Sequence, residues 1–286
     1  DDLKRKITDK TSCIIPVHML GTAARIQEIV EIANQASIPV LEDTAQAAGG
    51  HINGKYLGTF GTCGTFSFDS VKTITTGEGG MIITDDQKLH QEMSEYHDHG
   101  HDHVINPGGR GGEGRSFIGF NYRMMELQGA IGIAQLGKLD SMIAAQKKNK
   151  NRLKECLDSI PSVTFRDLID PAGDSATFLS FTLEDSDHRK RVGRVLQENG
   201  APPICWADNT WHFYPKWEHL LAGATQTRSG WPFAEPGGKR RVVYDPEALP
   251  SSADLLERTL VYPISIRMSE TRLQDMEEAI RKAAEA

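Results

Sequence analysis

The segment from residue 12 to residue 42 constrains the fold most, because it predicts a strand, a helix and a second strand in succession. Ser12–Val17 and Ile38–Glu42 are mostly apolar runs of strand length. Arg25–Ala36 carries its apolar residues at the spacing of one helix face. Strand, helix and strand at this spacing form a βαβ unit, which implies a parallel sheet. Ligands of such sheets bind at the carboxyl ends of the strands.

Two adjacent carboxylates, Glu42 and Asp43, stand at the carboxyl end of the second predicted strand. Their position beside a buried strand predicts a functional role for at least one of them. The alternative is that Asp43 caps the short turn that follows, a position that aspartate favours.

A lysine follows in the loop after the next predicted strand. Thr65–Phe68 predicts that strand, Lys72 lies in the threonine-rich segment behind it, and Gly77–Gly80 is a glycine-rich turn. Most loop lysines are solvated charges. Together with the upstream Asp43, however, this lysine matches what pyridoxal phosphate (PLP) needs. The amine forms a Schiff base with the aldehyde, and the carboxylate keeps the pyridine nitrogen protonated.

Composition excludes several classes of function. The chain of 286 residues has a net charge of −7 and no long run of like charges, which argues against nucleic acid and anionic membranes as partners. Its apolar runs are shorter than the ~20 residues of a membrane span. The four cysteines are scattered without a C-x-x-C pair, which favours reduced thiols over disulfides or zinc. We therefore predict a cytoplasmic protein.

Further elements are predicted downstream by the same rules of periodicity and punctuation. They are long helical structure over 124–157, a strand over 177–183, a helix over 188–199, a strand over 260–266 and a C-terminal helix around 273–283.

Three segments together resemble the DegT/DnrJ/EryC1/StrS family of PLP-dependent sugar aminotransferases. They are EDTAQAAGG at 42–50, GTFSFDSVKTITTGEGGMIITDD at 64–86 and GFNYRMMELQGAIGIAQLGKLD at 119–140. The resemblance implies the type I fold of aspartate aminotransferase: a mixed, mostly parallel α/β sheet between helices, with a smaller α+β C-terminal domain. It implies a large PLP-binding domain over 1–148, in part, and a small domain over 149–286.

The resemblance also implies roles for single residues. Lys72 matches the Schiff-base lysine and proton carrier, and Asp43 matches the partner of the pyridinium nitrogen; these are the predicted catalytic residues. The other predicted cofactor contacts are Ala45 at the ring face, Gln46 near the ring and its 3-hydroxyl, Ser67 at the phosphate, and Asn121 at the phosphate in the partner subunit. The match of Asn121 implies a homodimer with shared active sites.

The sequence departs from the family pattern in its N-terminal part, and its residue 72 distinguishes between two branches of the family. Family members carry about a hundred residues before the first strand seen here, including a turn whose backbone binds the phosphate; we expect that the sequence lacks this N-terminal part. One branch of the family replaces the lysine by histidine and acts as a 3-dehydratase of keto sugars, so Lys72 favours transamination.

Four substrate contacts are predicted. His18 follows the first strand, where a solvent-facing histidine is the alternative. His99 and His101 belong to the run HDHGHDH at 97–103, which fits a substrate-facing loop, a solvated loop or an adventitious metal site. Gly100 loosens that run, so we predict no metal. Trp211 lies in an aromatic run that fits either a wall for a sugar ring or core packing.

These observations predict a PLP-dependent aminotransferase. By resemblance, it transfers an amino group from glutamate to a keto or aldehydo sugar for cell-envelope polysaccharide or lipopolysaccharide synthesis. A perosamine-type sugar and 8-amino-3,8-dideoxy-octulosonate are the candidate products. The alternatives are a PLP-dependent keto-sugar dehydratase and a non-catalytic fragment of the same fold.

Overall fold

The structure, a computed structural model, describes residues 1–102, 114–235 and 243–285. The chain divides into two compact units, one of residues 1–148 and 167–177 and the other of residues 149–166 and 178–286. Each unit has its own sheet and its own apolar core. Their assignment to a PLP-binding domain and a small C-terminal domain stays a prediction.

The first unit is built on a mixed three-stranded sheet. Its helices are α1 (Asp2–Lys6), α2 (Ile26–Gln35), α3 (Gln87–His97) and α4 (Glu126–Leu136). Its strands are β1 (Leu41–Asp43), β2 (His51–Ile52), β3 (Lys55–Tyr56), β4 (Cys63–Ser67) and β5 (Gly80–Ile83). The sheet has the order β1-β4-β5, with β1 parallel to β4 and β4 antiparallel to β5, while β2 and β3 form a separate antiparallel pair.

The first predicted strand, over 12–17, pairs with the β1 region through two isolated parallel bridges instead of a continuous ladder. Ile14 bridges Val40 and Val17 bridges Asp43. The backbone hydrogen bonds on either side of Pro16 are present, including the one from Asp43 N–H to the Pro16 carbonyl. Proline has no N–H to donate to β1, which removes one rung and splits the ladder. The predicted strand–helix–strand order is confirmed.

Helix α2 attaches to this sheet through one apolar face, as its periodicity predicts. Ile26 and Ala33 are fully buried on that face and pack in a cluster with Val40, Ala47 and Leu57. Burying a side chain such as that of Ile26 contributes about 1.5–3 kcal/mol. This packing fixes the carboxyl end of β1 relative to the chain that precedes it.

The long helical structure predicted over 124–157 is two helices, α4 and α5 (Leu139–Leu157). The break falls at Gly137 and Lys138, which form a turn. Glycine loses more backbone entropy in a helix than any other residue, so it is a natural place for the interruption.

The second unit is an antiparallel sheet covered by helices. Its strands are β6 (Thr164–Phe165), β7 (Phe178–Thr182), β8 (Ile204–Cys205) and β9 (Thr259–Pro263), in the order β6-β7-β9-β8. Its helices are α6 (Ser186–Glu198), α7 (Glu218–Ala222), α8 (Pro250–Glu257) and α9 (Glu270–Ala284). The predicted elements over 177–183, 188–199 and 260–266 and the C-terminal helix are confirmed within about two residues at most boundaries. In the described ranges, none of the helices combines the length and apolar character needed to cross a bilayer.

Candidate active site

The carboxyl ends of β1 and β4 lie at the same edge of the first sheet, since the two strands run parallel in register. Asp43 ends β1 and is the register partner of Thr65. Ser67 ends β4, and Lys72 lies in the loop that follows. The structure therefore brings the predicted carboxylate, the predicted phosphate-binding hydroxyl and the lysine loop to one edge. Ala45 and Gln46 lie in the turn after β1 and belong to the same edge.

The loop that carries Lys72 is closed at its base. Phe68 N–H donates to the Gly79 carbonyl, and Thr76 N–H donates to the Phe68 carbonyl, each over 2.9 Å. Gly77 and Gly79 have φ of 84° and 155°, values that side-chain-bearing residues rarely adopt. Lys72 is half-buried on this closed loop. The glycine-rich turn thus returns the chain from the lysine loop to β5.

The Asp43 carboxylate caps the turn that follows it. Its Oδ1 atom accepts a hydrogen bond from Ala45 N–H over 3.0 Å, and Ala47 N–H closes the turn onto the Thr44 carbonyl. The side chain is half-buried rather than fully buried. The capping alternative is therefore present in the structure, and it engages one of the two carboxylate oxygens without enclosing the side chain.

Gln46 and Ser67 are held by backbone donors. Leu20 N–H donates to the Gln46 side-chain oxygen over 2.8 Å. The Ser67 hydroxyl accepts from Asp69 N–H over 3.4 Å. Both side chains are half-buried at the sheet edge.

A buried hydrogen-bonded pair lies beneath the edge, and the sequence analysis did not assign it. Glu42 and His18 are fully buried, and His18 Nε2 lies 3.0 Å from Glu42 Oε2. The same carboxylate also accepts from the backbone N–H groups of Gly58, Phe60 and Gly61. One carboxylate therefore ties the 58–61 turn to the strand ends.

His18, a predicted substrate contact, is fully buried in the structure, so the solvent-facing alternative is wrong, while the contact with the substrate stays a prediction. Its Nδ1 accepts from Ala24 N–H over 3.1 Å, and its Nε2 meets Glu42, so both ring nitrogens are engaged inside the unit. Parallel pairing of Val17 with Asp43 places His18 beside the 42–43 pair. A histidine and a glutamate at the ends of two adjacent predicted strands were the signal for this contact.

These contacts define the charge of Glu42. Burial raises the pKa of the Glu42 carboxyl, but the hydrogen bonds from His18, Gly61 and Gly58 outweigh burial, so the pKa lies below its ordinary value of 4.5. Glu42 is therefore an ionised, fully hydrogen-bonded carboxylate in the folded protein at neutral pH.

We expect Glu42→Gln to lower the free energy of unfolding by about 2–4 kcal/mol, because the amide turns an N–H₂ group toward backbone donors. A carboxyl whose folded pKa is lowered stabilises the fold above its unfolded pKa and loses that contribution as the pH falls through its folded pKa. Thermal unfolding measured at several pH values below 4.5 should therefore show a shallower acid decline for Glu42→Gln than for the wild type. If the wild type and Glu42→Gln lose stability equally as the pH falls, the lowered pKa assigned to Glu42 is wrong.

Three predicted residues lie on other parts of the chain. Asn121 is exposed, bridges Asp98, and accepts from the Arg123 guanidinium over 3.2 Å. His99 is exposed, and His101 accepts from the Arg115 guanidinium over 3.2 Å. These contacts join residues of the 98–123 segment to one another.

The histidine run also bears on metal binding. His99 and His101 have ring centroids 5.8 Å apart. In residues 1–102, 114–235 and 243–285, no group of three or more His, Cys, Asp or Glu side chains is placed to hold a metal ion. His103, the last histidine of the run, lies outside the described residues.

Trp211 lies in the second unit and is 80% exposed, whereas its neighbour Phe213 is buried at 7%. The aromatic run therefore divides: Phe213 packs inside the unit, and Trp211 is available on its surface. The predicted sugar contact of Trp211 stays a prediction.

The chain belongs to the DegT/DnrJ/EryC1/StrS aminotransferase family, whose model matches residues 1–230. It is similar to the GDP-perosamine synthase of Escherichia coli O157:H7, with 38% identity over 170 residues, 57% of this chain and 43% of the relative. It is also similar to the GDP-4-keto-6-deoxy-D-mannose 3-dehydratase of Yersinia pseudotuberculosis, with 36% identity over 210 residues, 68% of this chain and 52% of the relative. The chain thus spans about half the length of these curated relatives.

A solved structure of the Escherichia coli GDP-4-keto-6-deoxy-D-mannose-3-dehydratase with bound hydrated PLP matches with a TM-score of 0.75 and 25% identity. The match covers 97% of this chain and 69% of that one. The predicted family and fold class are confirmed. The predicted cofactor is confirmed at the level of the family.

Proposed function

We propose that this protein is a PLP-dependent aminotransferase that moves an amino group from glutamate to a keto or aldehydo sugar. The observation that carries the proposal is the placement of Asp43, Ser67 and the Lys72 loop at one edge of the sheet. Ligands of α/β sheets bind at such an edge.

The groups at this edge fit PLP in their chemistry. The Lys72 amine suits the aldehyde, the Asp43 carboxylate suits the protonated ring nitrogen, and the Ser67 hydroxyl suits the phosphate. The Gln46 amide suits the ring oxygen. When bound, PLP supplies an electron sink for the carbanion that forms at the carbon losing its proton.

Each residue then has a task in amino-group transfer. With PLP bound, Lys72 Nζ would hold the cofactor covalently and, once freed by the amino donor, would carry a proton from the donor Cα as general base and then acid. The Asp43 carboxylate holds the proton on the ring nitrogen, and its Oδ1 contact with Ala45 N–H orients it. The sugar carbonyl would then accept the amino group by the reverse sequence, which predicts ping-pong kinetics.

A keto-sugar 3-dehydratase is the second candidate, because one of the relatives described above carries that name. Lys72 favours transamination, since the dehydratase branch carries histidine at the matching position. We propose a nucleotide-linked perosamine-type sugar as the first product to test, on the 38% identity to a GDP-perosamine synthase. The octulosonate product remains the alternative.

We further propose a homodimer with shared active sites, in which Asn121 reaches the phosphate of the partner subunit's cofactor. Apolar side chains near Asn121 and along α4 support an interface: Ile118 is 88% exposed, Leu127 69% and Ile133 76%. Contiguous exposed apolar side chains mark interaction surfaces. The four cysteines are free thiols, which supports the proposed cytoplasmic location.

The function is tested with PLP-loaded protein and glutamate labelled with heavy nitrogen, first without a sugar. We expect stoichiometric 2-oxoglutarate and loss of the absorbance at about 400–430 nm that lysine-bound PLP shows. Addition of GDP-4-keto-6-deoxy-D-mannose should then place the label in an aminated sugar. Label recovered as ammonia, with a deoxygenated and unaminated sugar, would instead establish the dehydratase. Protein that stays colourless with added PLP would contradict both.

A further inference from the structure

The turn after the first predicted strand contains a strained residue. Leu20 has φ 61° and ψ 26°, in the left-handed region, and its side chain is buried. This conformation is unfavourable for a residue with a side chain, because the Cβ atom comes close to the following carbonyl oxygen. Strain of this kind persists only where surrounding contacts impose it, and it concentrates at functional sites.

Contacts from several elements impose the conformation of this turn. The His18 ring spans it, because Nδ1 accepts from Ala24 N–H over 3.1 Å. The Gly21 carbonyl accepts from the Ser175 hydroxyl over 2.9 Å, and the Thr22 hydroxyl donates to Asp174 over 3.1 Å.

The His18 ring is itself fixed in one tautomer. Since Nδ1 accepts a hydrogen bond, the ring proton lies on Nε2 and is donated to Glu42 Oε2. The ring is fully buried, so water does not compete for either nitrogen. Glu42 thus orients His18, and His18 closes the turn around Leu20.

This arrangement fixes the direction of one backbone donor, the N–H group of Leu20. Leu20 N–H points at the side-chain oxygen of Gln46 and donates to it over 2.8 Å. An amide carries its oxygen and its NH₂ group on opposite branches, so fixing the oxygen also fixes the side on which the NH₂ donors lie. Gln46 stands at the sheet edge between the Asp43 turn and the Leu20 turn.

We propose that His18 is a positioning residue that, through the strained turn at Leu20, holds the Gln46 amide with its NH₂ end toward the ring oxygen of bound PLP. The inference rests on the proposed function, because it assigns Gln46 to that site. It adds two residues, His18 and Leu20, that set the orientation of the Gln46 amide toward the cofactor and do not themselves contact the cofactor.

Two substitutions of His18 separate its two contacts in the full-length protein. His18→Gln keeps a donor near Glu42 and removes the acceptor for Ala24 N–H, whereas His18→Asn keeps that acceptor and removes the donor. We expect His18→Gln to raise the Kd for PLP about tenfold, equivalent to about 1.4 kcal/mol. His18→Asn should have a Kd for PLP within about threefold of the wild-type value, because it keeps the acceptor for Ala24 N–H. Its melting temperature should fall, because the donor to Glu42 is lost.

A double-mutant cycle with Gln46→Ala tests the route. If His18 acts through Gln46, the double variant His18→Gln/Gln46→Ala binds PLP no more weakly than Gln46→Ala alone, and both single variants shift the absorbance maximum of bound PLP in the same direction. Additive losses, or a wild-type Kd for His18→Gln, would overturn the proposal while leaving the aminotransferase intact. Colourless wild-type protein would overturn the proposed function and this inference with it.

A second variant covers the case in which His18→Gln does not fold. Gln46→Glu keeps one oxygen for Leu20 N–H and replaces the NH₂ donor by an acceptor. We expect a Kd for PLP raised at least about tenfold with an unchanged melting temperature. An unchanged Kd would show that the NH₂ end of Gln46 does not face the cofactor, and would overturn the proposal.

Discussion

Lys72→Ala is expected to abolish the absorbance band of lysine-bound PLP at about 400–430 nm and to lower turnover at least about a thousandfold. The physical reason is that alanine removes both the covalent anchor and the amine that carries the proton. The half-buried lysine lies on a loop that follows β4 and is closed at its base by backbone hydrogen bonds among Phe68, Thr76 and Gly79. The absorbance spectrum with added PLP and the rate of 2-oxoglutarate release from glutamate measure the two losses.

Lys88→Ala is the matched control, because Lys88 is an exposed lysine of α3. Its side chain forms a surface ion pair with Glu92, and its backbone N–H donates a helix-cap hydrogen bond to Asp86. It should keep the spectrum and the rate of the wild type. A Lys72→Ala protein that still shows the band, and still bleaches with glutamate, would mean that another amine anchors the cofactor.

Asp43→Asn should lower the rate of amino-group transfer by about 10²–10⁴-fold, the range for loss of a group that controls a proton in the transition state. A neutral amide cannot stabilise the positive charge on the ring nitrogen, so the ring withdraws electrons less strongly. The asparagine oxygen can still accept from Ala45 N–H, so the turn after β1 should survive and the melting temperature should change by only a few degrees.

The two adjacent carboxylates give this prediction its control. Glu42→Gln should lower the melting temperature strongly, whereas Asp43→Asn should lower the rate strongly. Successive strand residues face opposite sides of a sheet, and here Glu42 is fully buried while Asp43 is half-buried. An Asp43→Asn variant with the wild-type rate and a lowered melting temperature would make Asp43 a structural cap and would remove it from the site.

Local patterning was sufficient for most of the architecture. The period of the apolar residues predicts α2 and α9, and the runs before Asp43 and around Phe66 predict β1 and β4. These elements depend on side chains near one another in sequence, so a single sequence carries their signal. The prediction fails where a single backbone group decides whether an element is continuous. At Pro16, the missing N–H splits the predicted strand into two isolated bridges. It also fails at Gly137, which divides a long helix.

The sequence by itself determined the family and the order of strand, helix and strand, and it predicted the reactive set of Lys72, Asp43 and Ser67, because those properties lie in short motifs. Only the tertiary structure decided that Glu42 and His18 form a buried pair and that Leu20 adopts a left-handed conformation aimed at Gln46. The physical reason is that these contacts join residues 24 and 26 positions apart. Their formation depends on the register of parallel strands, which local patterning does not specify.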